Sequence, residues 1–272
     1  SLERPFDLPS SVFNQGIPIQ DAIVEIAPGF YREDKSIFIR SNITLRKCSI
    51  CPAGTSSEPN ATVTVLLRRF DTYLNIDQLG NLSIFDINFI GGEAEAPEAP
   101  IFQGAVAKQR FLTQGVLFLD KSASLLLSNV TVSNFYTKRS AIYSVGAWAI
   151  RMVDCNFTNN EGIFESAVLT TVRTESLVID NCIFSNNFII REAEPYFTQT
   201  SRGAAIAMIH QPSVVLRRSS FIGNGIHAHV NEVVDGGAVS FFQALPTQQD
   251  VVIEDCIFAH NFVPNVLVFD PH

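Results

Sequence analysis

His227 and His229 stand two positions apart, with Glu232 and Asp235 close behind. On an extended segment such a pair points the same way. With either carboxylate, the two imidazoles form a donor set for a metal ion or for acid–base work. A segment further upstream carries Arg191, Tyr196 and Arg202. Guanidinium groups hold carboxylates through charge-assisted hydrogen bonds, and a tyrosine ring offers a stacking surface, so this second set suits a sugar acid. The alternative is that both groups are solvated loop tips whose side chains never converge. No cofactor is expected.

Positioning these residues falls to an internal repeat. An eight-residue pattern recurs: apolar, x, apolar, x, x, small-or-Cys, x, Phe-or-apolar. Its clearest copies are Leu177 to Phe184 and Val251 to Phe258. Ile150 to Phe157, Val214 to Phe221, Leu125 to Val132, Leu82 to Phe89 and Ile43 to Ile50 follow the same scheme. Alternation at period two indicates strand. The slip of phase between positions three and six indicates a bend, as in a chain that coils through short strands. A single coil cannot bury its inner face, so coils must stack. The spacing predicts an all-β fold: a single-stranded right-handed parallel β-helix of about seven coils with loop insertions. Positions one, three, six and eight are expected to face inward. Residues 1–272 read as one domain, with an N-terminal cap at 1–20 and insertions at 91–115, 189–202 and 225–235. The insertions follow the eighth position, so they are expected to emerge on one side, with 189–202 beside 225–235. The far end, residues 262–272, is expected to continue or to stack on another subunit.

Cys48, Cys155, Cys182 and Cys256 all fall at position six of the pattern. Free cysteine behaves as a small hydrophobe, so an inward stack is expected. Asn160, Asn187, Asn224 and Asn261 each follow a Phe by three residues and are expected to line one corner, bonding from coil to coil.

Composition narrows the function classes. The chain has 272 residues, 46% hydrophobic and only 17% charged, with a net charge of −8. That balance argues against a nucleic-acid surface, and no apolar run reaches the length of a transmembrane helix. Five N-x-[ST] sequons, at Asn42, Asn60, Asn81, Asn129 and Asn156, point to a glycosylated protein, secreted or at the cell surface.

The Phe-x-x-Asn tails Phe221–Asn224 and Phe258–Asn261, with Gly236-Gly-Ala-Val239, resemble the repeats of chlamydial polymorphic outer membrane proteins and of surface proteins of unicellular eukaryotes. Ala27-Pro-Gly-Phe-Tyr31 followed by Ser41-Asn-Ile-Thr-Leu45 looks like the opening coil of pectin-lyase-like proteins. The resemblance implies the pectin-lyase-like superfold, which carries both enzymes and inert scaffolds. The catalytic motifs of polygalacturonases, pectate lyases and pectin methylesterases are not found, so no catalytic residue carries over. The expected function is a structural or adhesive surface module with protein subunits or a polysaccharide as partner. The alternative is a polysaccharide-active lyase or hydrolase, or a carbohydrate-binding module.

Overall fold

The computed structural model describes residues 21–33, 36–49, 62–67, 73–77, 80–91, 112–113, 115–163, 165–190, 201–227, 234–242 and 250–263. The expected cap at 1–20, most of the 91–115 insertion, Arg191, Tyr196, His229, Glu232 and Asn60 lie outside these residues.

The strands pair in parallel, each with its equivalent one turn along the chain. The first sheet has eight: Ala22–Ile26, Asn42–Lys47, Asn81–Phe85, Ser124–Ser128, Ala149–Val153, Ser176–Asp180, Ser213–Arg217 and Asp250–Glu254. The second also has eight, from Gly29–Glu33 through Thr131–Ser133, Asn156–Thr158, Ile183–Ser185 and Ser220–Ile222 to Ile257–Ala259. The third has seven, from Ile37–Ile39 to Val239–Phe242, and a narrow fourth sheet of five ends at Phe188–Ile190 and Gly225–His227. Among the described residues the β-helix therefore counts eight rungs in its first two sheets and seven in its third, in keeping with about seven coils. The rung that the repeat does not reveal is the first, where Ala22 takes position one and Gly29 position six.

The bend inside the repeat has a specific cause. Position five is held by Asp86, Asn129, Asp154, Asn181, Arg218 and Asp255 in successive rungs, and every one has φ between 48° and 58°. One left-handed residue turns the chain from the first sheet into the second, and Asn and Asp tolerate that conformation best. The same device recurs after position eight, at Asn134, Asn159, Asn186 and His260.

Inside, the expected columns are present. Phe157, Phe184, Phe221 and Phe258 stack with centroids 4.8 Å apart, and the first three are fully buried. At position six, Cys155 and Cys182 are buried free thiols. Each closes the bend by donating to the carbonyl two residues back, Val153 at 3.2 Å and Asp180 at 3.3 Å. Ser219 does the same to Arg217 at 2.7 Å, which explains why Ser and Cys exchange there. The amide of Asn160 donates to Asn187 Oδ1 at 3.0 Å, that of Asn187 to Asn224 at 2.9 Å, and that of Asn224 to Asn261 at 3.0 Å.

Two details differ from the sequence reading. In the second rung the register pairs Val63 with Ile87 and Val65 with Phe89. Val63 and Val65, not Cys48 and Ile50, thus hold positions six and eight, because residues 48–62 intervene between the first and second sheets. Insertions therefore leave the helix at more than one corner. Cys48 is buried outside the column and is disulfide-bonded. In the last rung the inward residues Val251, Ile253 and Phe258 are 40%, 48% and 48% exposed, because among the described residues no rung stacks on them.

Candidate functional site

The bases of the two insertions do come side by side. Ser201–Arg202 pairs in parallel with Val234–Asp235, Arg202 opposite Asp235. His227 lies elsewhere, on the fourth sheet. Its imidazole packs 5.4 Å from the Phe188 ring and 5.2 Å, edge-on, from the Phe262 ring. Gly225 makes room for that arrangement, since a side chain there would run into Phe262. Residues 189–190 and 225–227, read from the sequence as insertion, belong to these strands. Among the described residues, no three His, Cys, Asp or Glu side chains gather as metal ligands.

A second set of groups, not singled out from the sequence, surrounds Arg202 on the outer face of the third sheet. The register there runs Phe38, Asn75, Phe118, Tyr143, Thr170, Ala207, Ser240. Phe38 is 63% exposed. Phe118 and Tyr143 stack nearly parallel, 12° apart, with centroids at 6.1 Å. The Arg139 guanidinium lies 4.8 Å from the Tyr143 centroid, a cation–π contact. Beyond Tyr143 the row becomes small and buried, at Thr170, Ala207 and Ser240. Thr170 meets Ser140 at 2.6 Å and Ser166 at 3.0 Å, forming a closed hydroxyl trio.

Glu165 borders this trio and is hydrogen-bonded to Thr170. It has φ of 41°, an uncommon conformation for a non-glycine residue. The backbone N–H of Arg202 donates to the Glu165 carbonyl at 3.1 Å, which fixes Arg202 one rung above Glu165. The Arg202 guanidinium sits 4.0 Å from the Phe242 ring. Among the described residues, buried Glu165 Oε2 and Arg202 Nε have no hydrogen-bond partner. Burial pushes the Glu165 carboxyl above the usual carboxylate range, and Arg139 and Arg202 pull it part of the way back. Burial and the nearby Glu165 charge raise the Tyr143 phenol as well. A buried acceptor and a buried donor, unpartnered among the described residues, therefore stand near the end of an aromatic row. The only sequence signal was the charge preceding a small-residue motif, Arg139-Ser140, Glu165-Ser166 and Arg202-Gly203.

Exposed surfaces elsewhere carry the sequons. Asn42, Asn81, Asn129 and Asn156 are all exposed, and Asn129 donates to Asp86 at 2.7 Å along the first corner. Among the described residues no helix is long and apolar enough to cross a membrane.

This architecture defines a class. The chain belongs to the right-handed β-helix family, whose model matches residues 110–270, more than half of its length. A comparison with curated proteins finds no match.

Proposed function

We propose that this β-helix is a secreted or cell-surface adhesive module that binds saccharide along the outer face of its third sheet. The observation that carries the reading is the stacked Phe118–Tyr143 pair beside the Glu165 acceptor and Arg202 donor, both buried and unpartnered among the described residues. A pyranose ring has an apolar C–H face for an aromatic side chain and a rim of hydroxyls. Each hydroxyl donates and accepts at once, so neighbouring hydroxyls can satisfy Oε2 and Nε together. The extracellular part of the reading is supported by the exposed sequons and by the disulfide at Cys48, since disulfides persist in oxidising compartments. Within the β-helix family, the pectin-lyase-like superfold and the kinship with chlamydial-type surface repeats fit this reading. Partners would be a polysaccharide or other protein subunits.

A second reading has one observation of its own. A carboxyl whose proton affinity burial raises, near a tyrosine, leans toward general-acid chemistry, which favours a polysaccharide-active enzyme with Glu165 at its centre. A polysaccharide panel assayed for both retention and cleavage tests the two. The adhesive reading expects retention without new chain ends, weakened about tenfold by Tyr143→Ala and kept by Glu165→Gln to within a few fold. Cleavage abolished by Glu165→Gln establishes the enzyme instead. Absence of retention, or retention indifferent to both Phe118→Ala and Tyr143→Ala, removes the site.

A further inference from the structure

Among the described residues the last rung is an edge: Asp250–Glu254 and Ile257–Ala259 are terminal strands of their sheets, each paired on one side. Their inward residues Val251, Ile253 and Phe258 are about half exposed, with Phe262 at 39%. Phe258 is the upper ring of a stack whose lower members are covered on both faces. The asparagine ladder ends there too. Each Asn below hands its amide hydrogen to the next Oδ1, and Asn224 also donates its backbone N–H to Asn261 at 3.0 Å. Among the described residues nothing stands beyond Asn261 to continue the row.

Charge specifies what fits this edge. Along the first corner, carboxylates are met by donors from a neighbouring rung. Asn129 donates to Asp86 at 2.7 Å, and Asn181 donates to Asp154 at 2.6 Å. Arg218 pairs with Asp180 at 2.7 Å and lies below Asp255, whose charge also acts on it. At position four Arg217 faces Glu254 at 3.5 Å, as Arg46 faces Glu25 at 2.6 Å. The edge rung thus ends on two exposed carboxylates, Glu254 and Asp255, whose charge favours basic groups in a strand added above them. The first rung of a second copy presents Glu25 at that position and would repel them.

We infer that the last rung is a docking edge for an added β-strand with apolar residues at positions one, three and eight, basic residues at four and five, and Asn three residues after the Phe. The mode is strand addition: backbone hydrogen bonds supply affinity and alternate side chains supply selectivity. The seventh rung, Val214–Asn224 (VVLRRSSFIGN), has this pattern, and as a synthetic peptide it is the probe. Titrated into the full chain, the peptide is expected to bind. Its charge-reversed form, with Glu at both arginine positions, is expected to bind about tenfold more weakly. Glu254→Gln with Asp255→Asn should bring the two peptides to within about twofold of each other, and Phe258→Asp should abolish binding of both. Circular dichroism on each variant verifies that the lower rungs are intact. Failure of the peptide to bind overturns the inference, as does equal binding of both peptides to the unmodified chain. Binding that appears only after removal of residues 264–272 assigns the edge to the chain's own tail and also overturns it. None of these outcomes bears on saccharide binding at the third sheet.

Discussion

Replacing Asn187 by Ala tests whether the amide ladder holds the second corner together. Asn187 is fully buried. Its Oδ1 accepts the Asn160 backbone N–H at 3.1 Å and the Asn160 amide at 3.0 Å. Its own amide donates to the Phe157 carbonyl at 3.0 Å and to Asn224 Oδ1 at 2.9 Å. Alanine would orphan two buried donors, each costing about 1–3 kcal/mol, so about 2–6 kcal/mol in all. Both acceptors retain other capacity, and some relaxation follows, so a loss of about 3–5 kcal/mol is expected. Exposed Asn156 is the control, with Asn156→Ala within about 0.5 kcal/mol. Denaturant titration followed by circular dichroism and Trp148 fluorescence measures both. Coincident transitions by the two probes establish whether one free energy applies. A loss below about 1 kcal/mol at Asn187 would mean that water replaces the amide and that the ladder does not secure the corner. Asn187→Asp adds a pH signature. Its carboxylate keeps the acceptors, loses both donors and is buried, so its folded pKa is raised above the unfolded value of about 3.9. Its contribution is then fully present below that value and lost as pH rises through the folded one.

Phe184→Ala removes a ring stacked on both faces and should cost about 3–5 kcal/mol, measured by the same titration. At Glu165 the folded pKa is raised, first by burial. Its contribution is complete below the unfolded pKa, about 4.3, and declines as pH rises through the folded value. The unmodified chain should therefore lose stability relative to Glu165→Gln over that interval, and an unchanged difference across it would refute the burial argument. Thiol labelling of the native chain should modify half-exposed Cys256 well before buried Cys155 and Cys182, read by peptide mass spectrometry. Material from a secretory host should lose mass on enzymatic deglycosylation at Asn42, Asn81, Asn129 or Asn156. Unmodified asparagine at all four would remove a main support for the extracellular reading.

Much of the fold is legible in the sequence because its rules are local and repeated. Period-two alternation, a slip of phase at each bend and a Phe with its following Asn are each visible within about a dozen residues. Stacking then multiplies them into columns, so the inward faces of rungs three to seven follow directly. The first two rungs are less legible. There residues 48–62 interrupt the pattern, and Cys48 sits at the right spacing without being in the column. Register is set by which strands can pair and bury their side chains, and spacing alone does not report it. The third-sheet site is less legible still. Arg139, Tyr143, Glu165, Arg202 and Phe242 come from four different turns, and no short motif contains them. Their approach depends on loop lengths that bring the bases of separate turns into register, as the pairing of Arg202 with Asp235 and the bond from Arg202 to Glu165 show. His227 illustrates the converse. Its spacing from His229 suggests a ligand pair, whereas the contacts of its ring with Phe188 and Phe262 are created by adjacent rungs and are invisible to spacing. The sequence by itself determined the repeating cross-section, because each rung is encoded by its own residues. Only the tertiary structure decided which outward side chains share a surface, because that depends on how whole turns of unequal length are stacked.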